Sequence, residues 1–231
     1  MKKFPKAIAA MMLMTVAVCM VGCKLIDFSK RKTHEFVDLG LPSGTLWATC
    51  NVGANKPEDY GKCFAWGEIK PKSTCNWNTY KYCKGDDASL TKYCTISSFG
   101  YEEFADSLIV LQPTDDAATA NWEDGWYMPT EEQWEELYKN TTNTWTTQNG
   151  VNGRLFTAGN GNSLFLPAAG NRWGSEVGYA GSYGSYWSST LGFDLPSGAW
   201  NFFFDLEDCH LSGCRRDIGQ SVRAVRSVPL N

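Results

Sequence analysis

Cysteine offers the most chemistry in this sequence, with nine among 231 residues. Cys19 and Cys23 close an apolar N-terminal run, which leaves Cys50, Cys63, Cys75, Cys83, Cys94, Cys209 and Cys214. No two of these seven have C-x-x-C spacing, and His34 and His210 are the only histidines, so a structural zinc site is not expected. In an exported chain an odd number leaves at least one thiol unpaired. Cys83–Cys94 and Cys50–Cys63 are the local candidates for disulfides, and the pairing stays open. Glu131, Glu132, Glu135 and Glu136 could be imagined as catalytic carboxylates. They follow a helix-capping signal, however, and read as the solvated face of that helix.

A second constellation suits binding better than catalysis. In Trp200-Asn201-Phe202-Phe203-Phe204-Asp205-Leu206, period two sends Trp200, Phe202, Phe204 and Leu206 to one face and Asn201, Phe203 and Asp205 to the other. With the first set inward, Phe203 must point out. The turn expected next carries Asp208, His210, Arg215, Arg216 and Asp217. One exposed ring among charges of both signs can bury apolar area while its rim orients a protein or polar ligand.

The elements that must position these residues are short. Aromatics make up 14% of the chain and charged residues 20%, and 22 Gly and nine Pro break it into pieces. That profile excludes a coiled coil, a disordered chain and a long-helix bundle. Thr130 can cap a helix over Glu131–Tyr138, and Gln133, three residues on, can complete a capping box. Trp134, Leu137 and Tyr138 then share a buried face. A shorter helix is expected within Gln112–Trp122, and strands over His34–Val37, Leu46–Val52, Leu155–Thr157, Ser163–Leu166, Trp200–Leu206 and Ser221–Arg226. Residues 54–100 read as irregular. Trp47, Trp66, Trp126, Trp134, Trp187 and Trp200 are the candidate core tryptophans. The expectation is one α+β domain over residues 34–228, with two short helices flanking short, mostly antiparallel sheets.

The N-terminus reads as an address. Lys2, Lys3 and Lys6 precede an apolar run from Ala7 to Val21, of signal-peptide length. The run ends in Met20-Val21-Gly22-Cys23, which resembles the lipobox of bacterial lipoproteins. That implies a signal peptide over residues 1–22, acylation of Cys23 and a tether over residues 23–33. The domain would then be held by its lipid at the cell envelope, on the outer membrane's periplasmic face or at the cell surface. Without the three leader lysines the chain has 18 basic and 25 acidic residues, which argues against nucleic acid as a partner. A monomer is expected.

Four segments carry a family resemblance: Gly125-Trp126-Tyr127-Met128-Pro129-Thr130-Glu131-Glu132-Gln133-Trp134, Leu166-Pro167-Ala168-Ala169-Gly170, Tyr186-Trp187-Ser188-Ser189-Thr190 and Gly219-Gln220-Ser221-Val222-Arg223. In this order they resemble exported Bacteroidales-type proteins with a C-type lectin-like fold, the Fibrobacter succinogenes major paralogous domain group. The resemblance covers roughly residues 35–228 and implies paired terminal strands. It also implies ligand contacts on loops and exposed strands of the C-terminal half, which adds Asn171, Trp173, Phe193 and Asp194 to the patch. The calcium-dependent sugar motifs of animal lectins are replaced by Gln112-Pro113-Thr114 and Trp200-Asn201-Phe202, which lack the metal-binding acid or amide, so no cofactor is expected. Cys209 and Cys214 resemble the cysteine pair with which formylglycine-generating enzymes, which share that fold, hold copper, and two thiolates suit Cu(I). A copper-dependent oxidase is therefore the alternative to a non-catalytic glycan- or protein-binding lipoprotein. The residues from Leu191 to Ile218 also resemble the variable regions of proteins diversified by retroelements.

Overall fold

The best-signalled helix forms as its sequence dictates. Thr130 Oγ1 accepts from Gln133 N at 3.3 Å, and Gln133 Oε1 accepts from Thr130 N at 3.0 Å, which closes the capping box on the helix Glu131–Asn140 (α2). Trp134 and Leu137 are wholly buried beneath it, but Tyr138, expected inside, is 42% exposed. Tyr138 makes only a tilted contact with Phe202, their ring centroids 6.5 Å apart. Glu136 is not simply solvated: its carboxylate accepts from Ser43 N at 2.8 Å and ties the helix to the N-terminal strands.

The structure, a computed structural model, describes residues 34–122, 125–192 and 194–228. The signal peptide, Cys23 and the tether lie outside the described residues. An α+β class is not what the described residues adopt: 39% of the chain is strand and 15% helical, and α2 is joined only by the short helix Ala117–Trp122 (α1). This is a β-rich fold. Strands Phe36–Asp38 (β1) and Leu46–Asn51 (β2) join Arg223–Arg226 (β13) in one sheet, so the ends of the domain are paired antiparallel through β2. Thr141–Gln148 (β4), Val151–Ala158 (β5) and Ser163–Pro167 (β6) make a second, antiparallel sheet. Asn149 and Gly150, both at positive φ, turn β4 into β5, as a two-residue hairpin demands.

The central sheet has five strands, in the order Cys209–Arg215 (β11), Gly198–Phe204 (β10), Gly184–Leu191 (β9), Gln220–Ser221 (β12) and Cys63–Phe64 (β3). It is covered on both faces. Alternate residues of β9 feed two cores: Trp187 packs with Trp66, Tyr93 and Trp126, while Tyr186 packs with Trp47, Trp134, Phe202 and Phe204. Trp134 stacks on Phe202 with centroids 4.9 Å apart. Five of the six candidate core tryptophans are 3% exposed or less, whereas Trp200 is only partly covered. Asn171–Trp173 (β7) and Glu176–Gly178 (β8) form a small hairpin beside this sheet.

Candidate functional site

Register along β10 and β11 places Phe203 opposite His210 and Phe202 opposite Leu211. Phe202 and Phe204 point into the core under α2, as the alternation requires, so Phe203 and His210 share the other face. There they meet two rings that were not among the expected site residues. Tyr179 stacks on Tyr183 at 5.2 Å, Tyr183 lies 5.2 Å from Phe203, and Phe203 lies 5.4 Å from His210. Four rings from three chain segments thus form one continuous row. Tyr179 is 70% exposed and His210 is exposed, while Tyr183 and Phe203 between them are half-buried.

The row is held from below. Ser182 N and Tyr183 N donate to Tyr179 O at 2.9 and 3.3 Å, and Gly181 N donates to Ala168 O at 2.7 Å. Tyr179 is fixed at φ +61°, a conformation unfavourable for a bulky side chain. Burial, with Tyr179 beside it, pushes the Tyr183 hydroxyl up to about 12, so it stays a neutral donor. The signal that could have found both tyrosines is compositional. They sit in a Gly- and Ser-rich stretch, the mixture that adaptable binding loops use.

The other expected site residues divide. Asp208 and His210 are exposed neighbours, with carboxylate and Nδ1 3.1 Å apart. Asp205 closes the β10–β11 turn, its Oδ1 accepting from Glu207 N and Asp208 N at 2.8 and 2.9 Å. Those two amides, led by Asp208's, hold its carboxyl below the usual carboxylate range. Trp173 is 67% exposed at the turn end of the β7–β8 hairpin, and half-buried Asn171 pairs with Gly178 at its base, next to Tyr179. Phe193 lies outside the described residues.

Three expected ligand contacts are corrected. Asn201 is buried, because the second face of its strand is covered too; its Nδ2 donates to Ser185 Oγ at 2.8 Å. Asp217 is fully buried and grips Arg215 with both oxygens, at 3.0 and 2.7 Å. Arg216 is also fully buried. Its fork donates to Tyr93 O, Pro196 O, Lys92 O and Tyr80 Oη at 2.7–3.0 Å, and lies 5.0 Å from the Trp66 ring centroid. A guanidinium that satisfies carbonyls of two distant segments, Lys92–Tyr93 and Pro196, and the hydroxyl of a third, Tyr80, is a structural pin. The segment read as a charged turn is instead strand β11.

That strand also removes the copper reading. Cys209 and Cys214 are five positions apart on β11, so they face opposite sides, about 17 Å apart along the strand. Cys209 packs in the Trp134 core and Cys214 against the Trp66 core. They cannot share one ion. All seven described cysteines are free thiols, so neither local pair is a disulfide. Cys83 and Cys94 instead donate to Trp77 O and Ile96 O. Burial pushes Cys63 and Cys214 up to about 11, so neither is a thiolate nucleophile near neutral pH. Among the described residues no group of three or more His, Cys, Asp and Glu is placed to hold a metal.

Beyond the ring row, at the far end of the same hairpin, a cleft of about 270 Å³ opens between the 192–198 turn and β10–β11. Trp200, Leu195, Ser197, Asp194, Gly213 and Arg215 are among its walls. Among the described residues no helix is long and apolar enough to cross a membrane. In comparisons with known proteins, no family model, no curated protein and no solved structure matches this chain.

Proposed function

We propose that this is an exported, lipid-anchored protein that binds a glycan or protein ligand without transforming it, through the face bearing Tyr179, Tyr183, Phe203 and His210. The observation that carries the reading is the row of four rings. A monomeric domain gains nothing in its own core by holding Tyr179 at 70% exposure and positive φ. Strain of this kind persists where a contact surface needs it. Asp205, Asp208 and His210 supply a polar rim at one end of the row, and Trp173 extends the aromatic surface along the β7–β8 hairpin. The four-motif resemblance and the lipobox-like Cys23 support the envelope setting. Within Leu191–Ile218, Phe202, Phe204, Arg216 and Asp217 are core residues, so retroelement-type diversification is proposed only for exposed positions such as His210 and Arg215.

Tyr179→Gly tests the reading well, because it removes a ring while relieving the backbone strain. A glycan array and a pull-down from envelope extracts find the ligand with wild-type protein. Tyr179→Gly and Phe203→Ala should each weaken that binding by about tenfold. Tyr179→Gly should leave Tm unchanged or raised. If both variants bind as wild type does, the site lies elsewhere and the proposal fails.

A further inference from the structure

The cleft at the far end of the β10–β11 hairpin carries a second reading, separate from the ring row. Trp200 differs from the core tryptophans. It is partly exposed, and among the described residues its ring meets no other ring and its indole N–H has no hydrogen-bond acceptor. Directly across the register stands Gly213, where an added Cβ would find nothing within 4 Å. Gly192 and Gly198 continue the floor. Among the described residues, one flank of a large indole therefore borders open space rather than a side chain.

The walls supply fixed polar groups of limited charge. Arg215 spends Nε and Nη2 on Asp217, and its guanidinium rests 5.6 Å from the Trp77 ring centroid. Nη1 is left as the spare donor of a fork that is already oriented and already neutralised. Asp217 is fully buried, so no ligand reaches that carboxylate. Asp194 is exposed on the cleft wall and adds an acceptor whose charge nothing else in the lining offsets. With Arg215 paired, the cleft disfavours anions.

We infer that this cleft is a metal-independent subsite for one ring of a neutral saccharide, with Trp200 as the platform and Arg215 and Asp194 as the hydroxyl partners. A pyranose has an apolar C–H face that needs an indole and a hydroxyl rim that needs both a donor and an acceptor. Left unpaired on burial, those hydroxyls would cost more than stacking returns. A volume of about 270 Å³ is near the small end for a ligand pocket and suits one ring rather than a whole oligosaccharide. A phosphate, sulfate or uronate would meet Asp194 without an unpaired cation to offset it.

The test uses the full mature chain and isothermal titration with maltotriose, chitotriose, xylotriose and mannotriose, beside trigalacturonate as the acidic control. At least one neutral sugar should bind and trigalacturonate, in which every ring is charged, should not. Trp200→Ala and Gly213→Leu should each weaken that binding by about thirtyfold. Gly213→Leu fills open space without touching the core, so it remains informative if Trp200→Ala folds poorly. Phe203→Ala should leave the affinity within about twofold. The inference is overturned if no neutral sugar binds, if only trigalacturonate binds, or if binding survives Gly213→Leu. Loss with Phe203→Ala and survival with Gly213→Leu would put the sugar on the ring row, overturning the cleft and upholding the proposed function.

Discussion

At the scale of single residues, position in the sheet decides what a side chain does more than its type does. Arg215 and Arg216 are neighbours in sequence, yet one lies at the rim of a cleft and the other pins two backbone segments, Lys92–Tyr93 and Pro196, in the core. Trp134 and Glu135 give the measurable version on a helix. Trp134 is fully buried between Trp47 and Phe202, with Nε1 donating to Trp187 O at 3.3 Å. Trp134→Ala should cost about 3–5 kcal/mol, the range for large-to-small core changes. Glu135 is 45% exposed and pairs only with Lys139, one turn on. Glu135→Ala should therefore cost about 0.5 kcal/mol or less. Urea denaturation of both variants checks the pair, and equal midpoints would mean that Trp134 does not hold the core.

At the scale of elements, turns set the register that strands then follow. Gly150 sits at φ +84° in the β4–β5 hairpin with open space around it, so a methyl group there meets backbone strain and no clash. Gly159 has equal space and no positive φ. Gly150→Ala should destabilise by about 1 kcal/mol, while Gly159→Ala should be neutral or stabilise by about 0.4–1 kcal/mol through the unfolded chain. Denaturant midpoints read both, and a loss at Gly159 as large as at Gly150 would refute the turn argument. Local chemistry of this kind was legible in the sequence: the Thr130–Gln133 box and the β5–β6 hairpin form, and of the expected inward set Phe202 and Phe204 are buried, whereas Trp200 is only partly covered and Leu206, past the end of β10, is 65% exposed. The Asn149-Gly150 turn is equally legible, since Asn-Gly is a two-residue hairpin pair. What sequence could not show was the covering of both faces of β10, which buries Asn201, or the distant carbonyls that draw Arg216 inside. β11 was hidden by Ser212-Gly213 in its middle and by polar His210 and Arg215, which an edge strand can carry facing solvent. Of the site, Phe203 and His210 could be read from alternation, but their meeting with Tyr179 and Tyr183 depends on a loop far away in sequence.

At the scale of the whole molecule, anchoring and acid stability are the properties open to test. Acylation of Cys23 predicts that wild-type protein incorporates a labelled fatty acid and that Cys23→Ser moves to the soluble fraction with its fold intact. An unlabelled wild type would end that reading. Acid stability turns on Asp115, which ties the irregular segment before α1 to the rest of the domain. Its carboxylate meets Lys92 Nζ at 2.6 Å, Lys81 Nζ at 3.3 Å, and the Tyr82 and Tyr93 hydroxyls. Tyr93 in turn packs against Trp66 and takes the Arg216 hydrogen bond at its carbonyl. Burial alone would raise the Asp115 carboxyl, but Lys92 and the two tyrosine hydroxyls overcome it and hold the carboxyl at about 2. A depressed carboxyl contributes stability that is fully present above its unfolded value of 3.8 and is lost as pH falls through about 2. Wild type should therefore lose urea stability across that window. Asp115→Asn should be destabilised near neutral pH, because it leaves two lysines without their counter-charge, and should change much less as acid is added. The gap between the two proteins should close toward pH 2, and a gap that stays constant down to that pH would show that Asp115 is not the group that titrates.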